Sequence, residues 1–525
     1  MIHYICNRGF FSCLFLKLPI NEDVILPKDF ALQHPNNYLD VLYQGIPKAL
    51  DEANITSEDI TGIGITFTSS TMMAVDNQLN PLCLYKEHEN NPHAWVKLWK
   101  HHGAQKEAEE IYSLANGREE KWLQSYGNHV SAEWFLPKCL ETFYKAPELY
   151  DEVNLFIEAG DWIVSILTGE VIRSNCSLGF KAFWNEVDGF PEDFLSNLDY
   201  NFSKTIKSKL SGNIMNVGNK AGNLTEQMAK KIGLSAGIPV AVSIIDAHSS
   251  LLGIGAFEDK QLTMVMGTST CHLMLNEKKK YVTGISGVVK DAIIPGLYAY
   301  EAGQSAVGDL FWWYSQQIPE AYTQEAIDKN ITTFQLLEEK AKTLQPGENS
   351  LIALDWFNGN RSILSNFDLS GMILGMSLDT TPEEIYRSLL EASAFGAKVI
   401  IETYEKAGLA VEEVFACGGL PQKNDLLMQI YADVLNKKIN VSATDHASGI
   451  GAAILGAVAG GSFLSLNEAV QKMKQPFNKI YVPIEDNVKK YSKLFEVYKQ
   501  IHDLFGVKHP YIMEEIKKHS LKNPS

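Results

Sequence analysis

The sequence predicts an α/β protein of at least two domains. The chain has 525 residues, more than one hydrophobic core supports. Its second half alternates apolar strand-like runs with helical periodicity. The stretch Ile244 to Cys271 places an acid, Asp246, at the end of one buried-looking strand. It places a Gly267-Thr268-Ser269-Thr270 turn at the end of another. A carboxylate so placed can accept a hydroxyl's proton. A turn of this kind can hold a phosphate, because glycine permits close backbone approach and amides and hydroxyls donate. Together they imply phosphoryl transfer to an alcohol.

Taken in order, Phe10 to Leu18 is apolar but carries Lys17 and is too short to span a bilayer. It reads as a starting strand or a misassigned start rather than a signal peptide. Residues 36–53 are expected as a helix, with Leu39, Leu42, Ile46 and Leu50 on one face and a break near Asn54. Ile60 to Val75 reads as a strand running into the hydroxyl-rich turn Thr66 to Thr71, which includes Ser69 and Ser70. Residues 91–150 are rich in Trp, His and Tyr. With neither HExxH spacing nor cysteine partners, they are expected to line a polar pocket rather than bind zinc, and no metal ligands are assigned in the chain. Trp122 to Trp134 would suit a sugar, whose C–H faces pack on aromatic rings. Glu158 to Trp162 leads a short helix ended by Gly169. Lys181, between Phe180 and Phe183-Trp184, is either a snorkelling surface residue or a substrate contact.

A helix from Thr225 to Ile232 precedes a strand, Val240 to Ile245, that ends at Asp246. Clustered glycines put a domain boundary near residues 250–257. Thr381-Pro382-Glu383-Glu384 is a capping box with proline at the first helical position. Ile385, Leu389, Ala392, Gly396, Val399 and Ile400 form the expected inner face of its helix. The strand Val414 to Cys417 meets Gly418-Gly419, either a nucleotide approach or a tight turn. Gly449 to Gly456 lacks a complete GxGxxG and reads as helix packing, and no P-loop motif occurs. Residues 488–505 are expected as an amphipathic helix on the second domain, with Leu494, Val497, Tyr498, Ile501 and Leu504 inward. His519 to Ser525 are expected to fray.

Lys+Arg 46 against Asp+Glu 63 gives a net charge of -17, which argues against nucleic-acid and membrane partners. The seven cysteines show no CxxC spacing and read as reduced residues of a cytoplasmic protein.

Several segments jointly carry a resemblance. They are Asn91 to His102, Ser131 to Trp134, Glu158 to Trp162, Arg173 to Trp184, Asp246-Ala247-His248, Met266 to Cys271, Glu301 to Asp309, and Gly418-Gly419 with Lys423-Asn424. The chain resembles the FGGY carbohydrate kinases, and within them the branch acting on L-ribulose, over roughly residues 18 to 510. The resemblance implies two actin-like, ribonuclease-H-like ATPase domains with a cleft between them: residues 1–250 for the sugar, 251–510 for the nucleotide, and a tail, 511–525. It implies ATP and Mg²⁺, L-ribulose as acceptor in L-arabinose catabolism, and a homodimer as one assembly. Asp246 would be the general base. Lys181 and Glu301, with Ser69 and Ser70 of the nearby turn, would contact the sugar. Gly267, Thr268, Gly303, Gln304, Gly418, Gly419 and Asn424 would hold the nucleotide.

Two departures stand out. The family opens on a Gly-x-Asp-x-Gly-Thr turn that serves as its first phosphate loop, and residues 1–17 contain none. Thr66 occupies a position where the L-ribulose branch usually has aspartate. An impaired remnant that binds without catalysis, or a kinase for another pentulose such as xylulose, are the alternatives.

Overall fold

A computed structural model of the chain describes residues 26–519 apart from Lys28. The expectations for residues 1–17 and for the end beyond His519 lie outside the described residues.

The first half is built on a four-stranded antiparallel sheet, ordered Leu32–Gln33, Val96–Lys97, Met72–Val75, Leu155–Glu158. Successive strand residues point to opposite faces. Met72 and Ala74 accordingly enter one apolar cluster with Trp134 and Leu136, whereas Met73 and Val75 enter another with Trp162 and Val240. Both faces are covered, so the strand is apolar throughout.

The single strand expected over Ile60 to Val75 is broken. Ile63 bridges Val240, Thr66–Phe67 pairs in parallel with Ile244–Ile245, and residues 68–71 turn before Met72–Val75. Ser70 takes a left-handed φ of 51° in that turn. The partner run is split likewise, into Pro239–Ala241 and Ile244–Ile245. The parallel register, Thr66 to Ile244 and Phe67 to Ile245, sets the hydroxyl-rich turn beside Asp246.

Asp246 opens the helix Asp246–Ile254, which ends at Gly255 in the left-handed region (φ 72°). The chain then enters a seven-stranded mixed sheet, ordered Gly287–Lys290, Tyr298–Gln304, Thr270–Asn276, Gln261–Met266, Glu413–Cys417, Ile439–Ser442, Phe477–Tyr481. Gln261–Met266, Glu413–Cys417 and Ile439–Ser442 run parallel, so the turns after the first two open at the same end.

The helix Pro382–Lys406 has the expected capping box, but it is buried almost all round, Arg387 and Glu391 included, because elements pack on several of its sides. The helix Glu485–Asp503 buries Tyr491, Phe495, Tyr498, Ile501 and His502. Val497 and Leu504, expected inward, are exposed, since the aromatic ridge takes the contact. Residues from 511 are not a separate tail. The helix Tyr511–Lys518 places Met513 in the second half's core. Among the described residues, no helix is long and apolar enough to cross a membrane.

Candidate active site

A cavity of about 340 Å³ takes its lining from both halves of the chain. Asp246, Lys181, Glu301, Ser69, Ser70, Gly267 and Thr268 all line it. Gly303, Gln304, Gly418, Gly419 and Asn424 do not.

The strand end and the helix start fix Asp246, whose Oδ1 accepts the Ala247 N–H at 2.7 Å. Burial pushes its carboxyl up to about 6; the Ala247 bond opposes this and the Glu301 charge adds to it. A carboxylate titrating there is ionised at neutral pH yet close enough in basicity to take a proton.

Lys181 is no snorkelling surface residue. It is 4% exposed and its Nζ donates to Glu301 Oε1 at 2.7 Å. The other carboxylate oxygen, Oε2, lies 3.0 Å from His248 Nε2, and the His248 Nδ1 is 3.1 Å from Cys176 Sγ. Burial alone would raise the Glu301 carboxyl, but Lys181 and His248 outweigh it and hold it well below the usual carboxylate range. Glu301 is thus a fixed acceptor with Lys181 as an adjacent donor, a pairing that suits vicinal hydroxyls. Two further polar atoms at the cavity residues, Ser70 Oγ and His129 Nδ1, are buried without a protein partner. Unpaired polar atoms of this kind call for a ligand or water.

A buried polar layer supports these groups. Lys138 Nζ donates to the carbonyls of Ser70 (2.8 Å) and Leu98 (2.6 Å), pinning the 68–71 turn. Asp161 Oδ1 accepts from Ser243 Oγ and the Ser174 N–H, tying the strand before Asp246 to the start of the helix Asn175–Lys181 that carries Lys181. Thr66, in the departing position, donates its hydroxyl to the Ile244 carbonyl at 3.2 Å.

Gly267 and Thr268 are exposed at the turn joining Gln261–Met266 to Thr270–Asn276. The helix Gly308–Ser315 starts on this turn: Gly308 N–H donates to Gly267 O (3.1 Å) and Asp309 N–H to Thr268 O (3.2 Å). A Cβ on Gly308 would lie 2.5 Å from the Gly267 carbonyl, so that position admits only glycine. The Gly418–Gly419 turn opens beside it at the parallel strand ends, where α/β sheets bind ligands. Gly418 takes φ 102°, and any Cβ there would overlap the Met266 carbonyl. Asn424 caps the helix Asp425–Leu435 through the Leu427 N–H and donates to Tyr386 Oη. Strand alternation turns Gln304 into the interior, where it bonds Asp355, Ser393 O and His272. Trp122, expected at the sugar, packs instead against Phe183 and Phe194; Trp99 and Trp134 line the cavity.

Comparison with known proteins bears on this geometry. The N-terminal domain model of the FGGY family of carbohydrate kinases matches residues 20–253, and the C-terminal domain model matches residues 262–460. The chain belongs to the FGGY family of carbohydrate kinases. It is 52% identical over 492 residues to a ribulokinase of Staphylococcus aureus (strain MSSA476), covering 94% of this chain and 90% of that one. The ribulokinase of strain Newman matches equally. Among solved structures, a xylulose kinase from Rhodospirillum rubrum aligns with a TM-score of 0.75 at 20% identity, covering 92% and 91% of the two chains. A Plasmodium falciparum glycerol kinase with ADP aligns with a TM-score of 0.71 at 18% identity, covering 90% and 91%. These structures share the fold. The FGGY chain described here is a sugar kinase, and ATP is the donor of its family.

Proposed function

We propose that this chain phosphorylates L-ribulose to L-ribulose 5-phosphate with ATP and Mg²⁺, a step of L-arabinose catabolism. The observation that carries this is the half-buried Asp246 in one cavity with the Lys181–Glu301 pair and the exposed Gly267-Thr268 turn. The identity to ribulokinases supports L-ribulose as the acceptor.

The sugar hydroxyls would bond Lys181, Glu301 and the Ser69-Ser70 turn, bringing one terminal hydroxyl to Asp246. The Gly267-Thr268 turn would hold phosphate oxygens, and Gly418-Gly419 would admit the adenosine against the backbone. The hydroxyl oxygen forms the new bond to phosphorus as the bond to the ADP oxygen breaks, and its proton passes to Asp246. Mg²⁺, when bound, supplies charge neutralisation on the phosphates. Mg²⁺ is usually held by one or two carboxylates plus substrate phosphates rather than by an all-protein cage, so it would enter with the nucleotide. In this reading residues 1–250 form the sugar unit and the chain from 251 the nucleotide unit.

Purified protein with ATP, Mg²⁺ and L-ribulose should release ADP, and Asp246→Asn should slow that by about 10²- to 10⁴-fold while sugar still binds. Equal turnover in both proteins rejects the base. Sugar binding without turnover in the unmutated protein favours an impaired enzyme instead. Faster turnover of xylulose than of L-ribulose rejects the substrate.

A further inference from the structure

Among the described residues, the ion pairs Lys181–Glu301 and Arg361–Glu133 each join segments matched by the two domain models across the cleft. No step above uses Arg361 with Glu133. Arg361 Nη2 donates to Glu133 Oε1 at 2.9 Å, and His102 Nε2 sits 3.1 Å from the same oxygen. The two charged side chains are only 12% and 10% exposed. The guanidinium lies 5.5 Å from the centre of the Trp99 ring. Its buried Nε has no protein partner, which leaves a donor for water or a ligand oxygen. Arg361, Glu133 and Trp99 all line the cavity that holds Glu301.

Gly303 explains how Arg361 fits there. In the strand Tyr298–Gln304, Glu301 and Gly303 point to the same face. A Cβ on Gly303 would stand 3.1 Å from Arg361 Cδ. The missing side chain therefore seats the arginine next to the Glu301 acceptor. Burial would raise the Glu133 carboxyl, but Arg361 and His102 outweigh it.

We propose that Arg361 is a positioning residue of the sugar site, seated on Gly303 and locked to Glu133 so that it walls the cleft beside Glu301. Two such charges are costly to desolvate apart and compensate each other when they meet. A polyhydroxy substrate that fills the cleft keeps water from separating them, so sugar binding and the ion pair support each other. This rests on the sugar-kinase reading above.

The test measures KM for L-ribulose and for ATP, separately, in Arg361→Lys, Glu133→Gln, their combination and Gly303→Ala, each checked for folding by circular dichroism. Arg361→Lys and Glu133→Gln should raise the sugar KM about tenfold or more and leave the ATP KM within about twofold. The double variant should be no worse than the worse single, because one interaction is lost in each. Gly303→Ala should raise the sugar KM and not the ATP KM. An unchanged sugar KM, a parallel rise in the ATP KM, or additive losses overturns the proposal. An unmutated protein that neither binds nor phosphorylates a pentulose overturns the functional reading itself. Normal turnover with indifferent variants overturns this inference alone.

Discussion

Lys181 Nζ stands 2.7 Å from Glu301 Oε1, joining residues 120 positions apart across the cleft with 5% and 11% of their side chains exposed. Breaking such a pair strands the remaining charge. Lys181→Met should destabilise the protein by about 3 kcal/mol at pH 7, read from denaturant unfolding. Glu301 has a folded pKa held below its unfolded value, so its contribution is fully present above about pH 4.5 and is lost as pH falls below that. The gap between the two proteins should therefore narrow in acid. A gap that is constant with pH would show that Glu301 is not the group released.

Asp246 titrates near 6 because it is buried, with Glu301 adding like charge. Its ionised form is the one able to accept a proton, so kcat/KM for the sugar should rise with pH up to about 6 and then level. Glu301→Gln should move that limb toward acid by removing the like charge. Because the folded pKa is raised, ionisation of Asp246 costs stability as pH rises through the window from 3.8 to about 6. Asp246→Asn should consequently melt higher than the unmutated protein at pH 7. A limb near pH 4 would contradict the burial argument.

Gly419 separates two accounts of the glycine turn. An added Cβ meets nothing within 4 Å, so Gly419→Ala should leave the melting temperature nearly unchanged. If adenosine lies against this backbone, the methyl occupies its space and the ATP KM rises several-fold, while the sugar KM holds. An unaltered ATP KM would leave Gly418-Gly419 as a tight turn only.

The parts of this fold that were legible in the sequence are those whose signal is local. The capping box at Thr381, the break at Asn54 and the stop at Gly169 each depend on a few neighbouring residues, and all appear where expected. Asp246 and the Gly267-Thr268 turn were legible because strand ends are marked by composition. Arg361, Glu133, His248 and Lys138 were not assigned roles, because their partners lie 228, 228, 53 and 68 residues away. No periodicity encodes such pairs. Gln304 turns to the interior for a related reason: the motif named the segment, but only strand pairing shows which residues face the cleft.

The helix Ala447–Ala459 offers a last prediction, because its glycines set the position of Asp246. It crosses the helix Asp246–Ile254 so closely that a Cβ on Gly451 would overlap the Ser249 carbonyl, and one on Gly253 the Ala447 carbonyl. On the same helix, the Ala452 carbonyl fills the space beside Gly64, next to the Thr66–Phe67 strand. Gly451→Ala has to push the helices apart, at a cost of about 1–3 kcal/mol. Asp246 is the first residue of the displaced helix, so the hydroxyl it serves loses alignment, and small misplacements cost up to about 10²-fold in rate. Gly451→Ala should therefore lower kcat by more than its loss of folded protein explains, with thermal melts and active-site titration on one sample separating the two effects. An unchanged kcat per folded molecule would mean that the helix crossing carries stability alone.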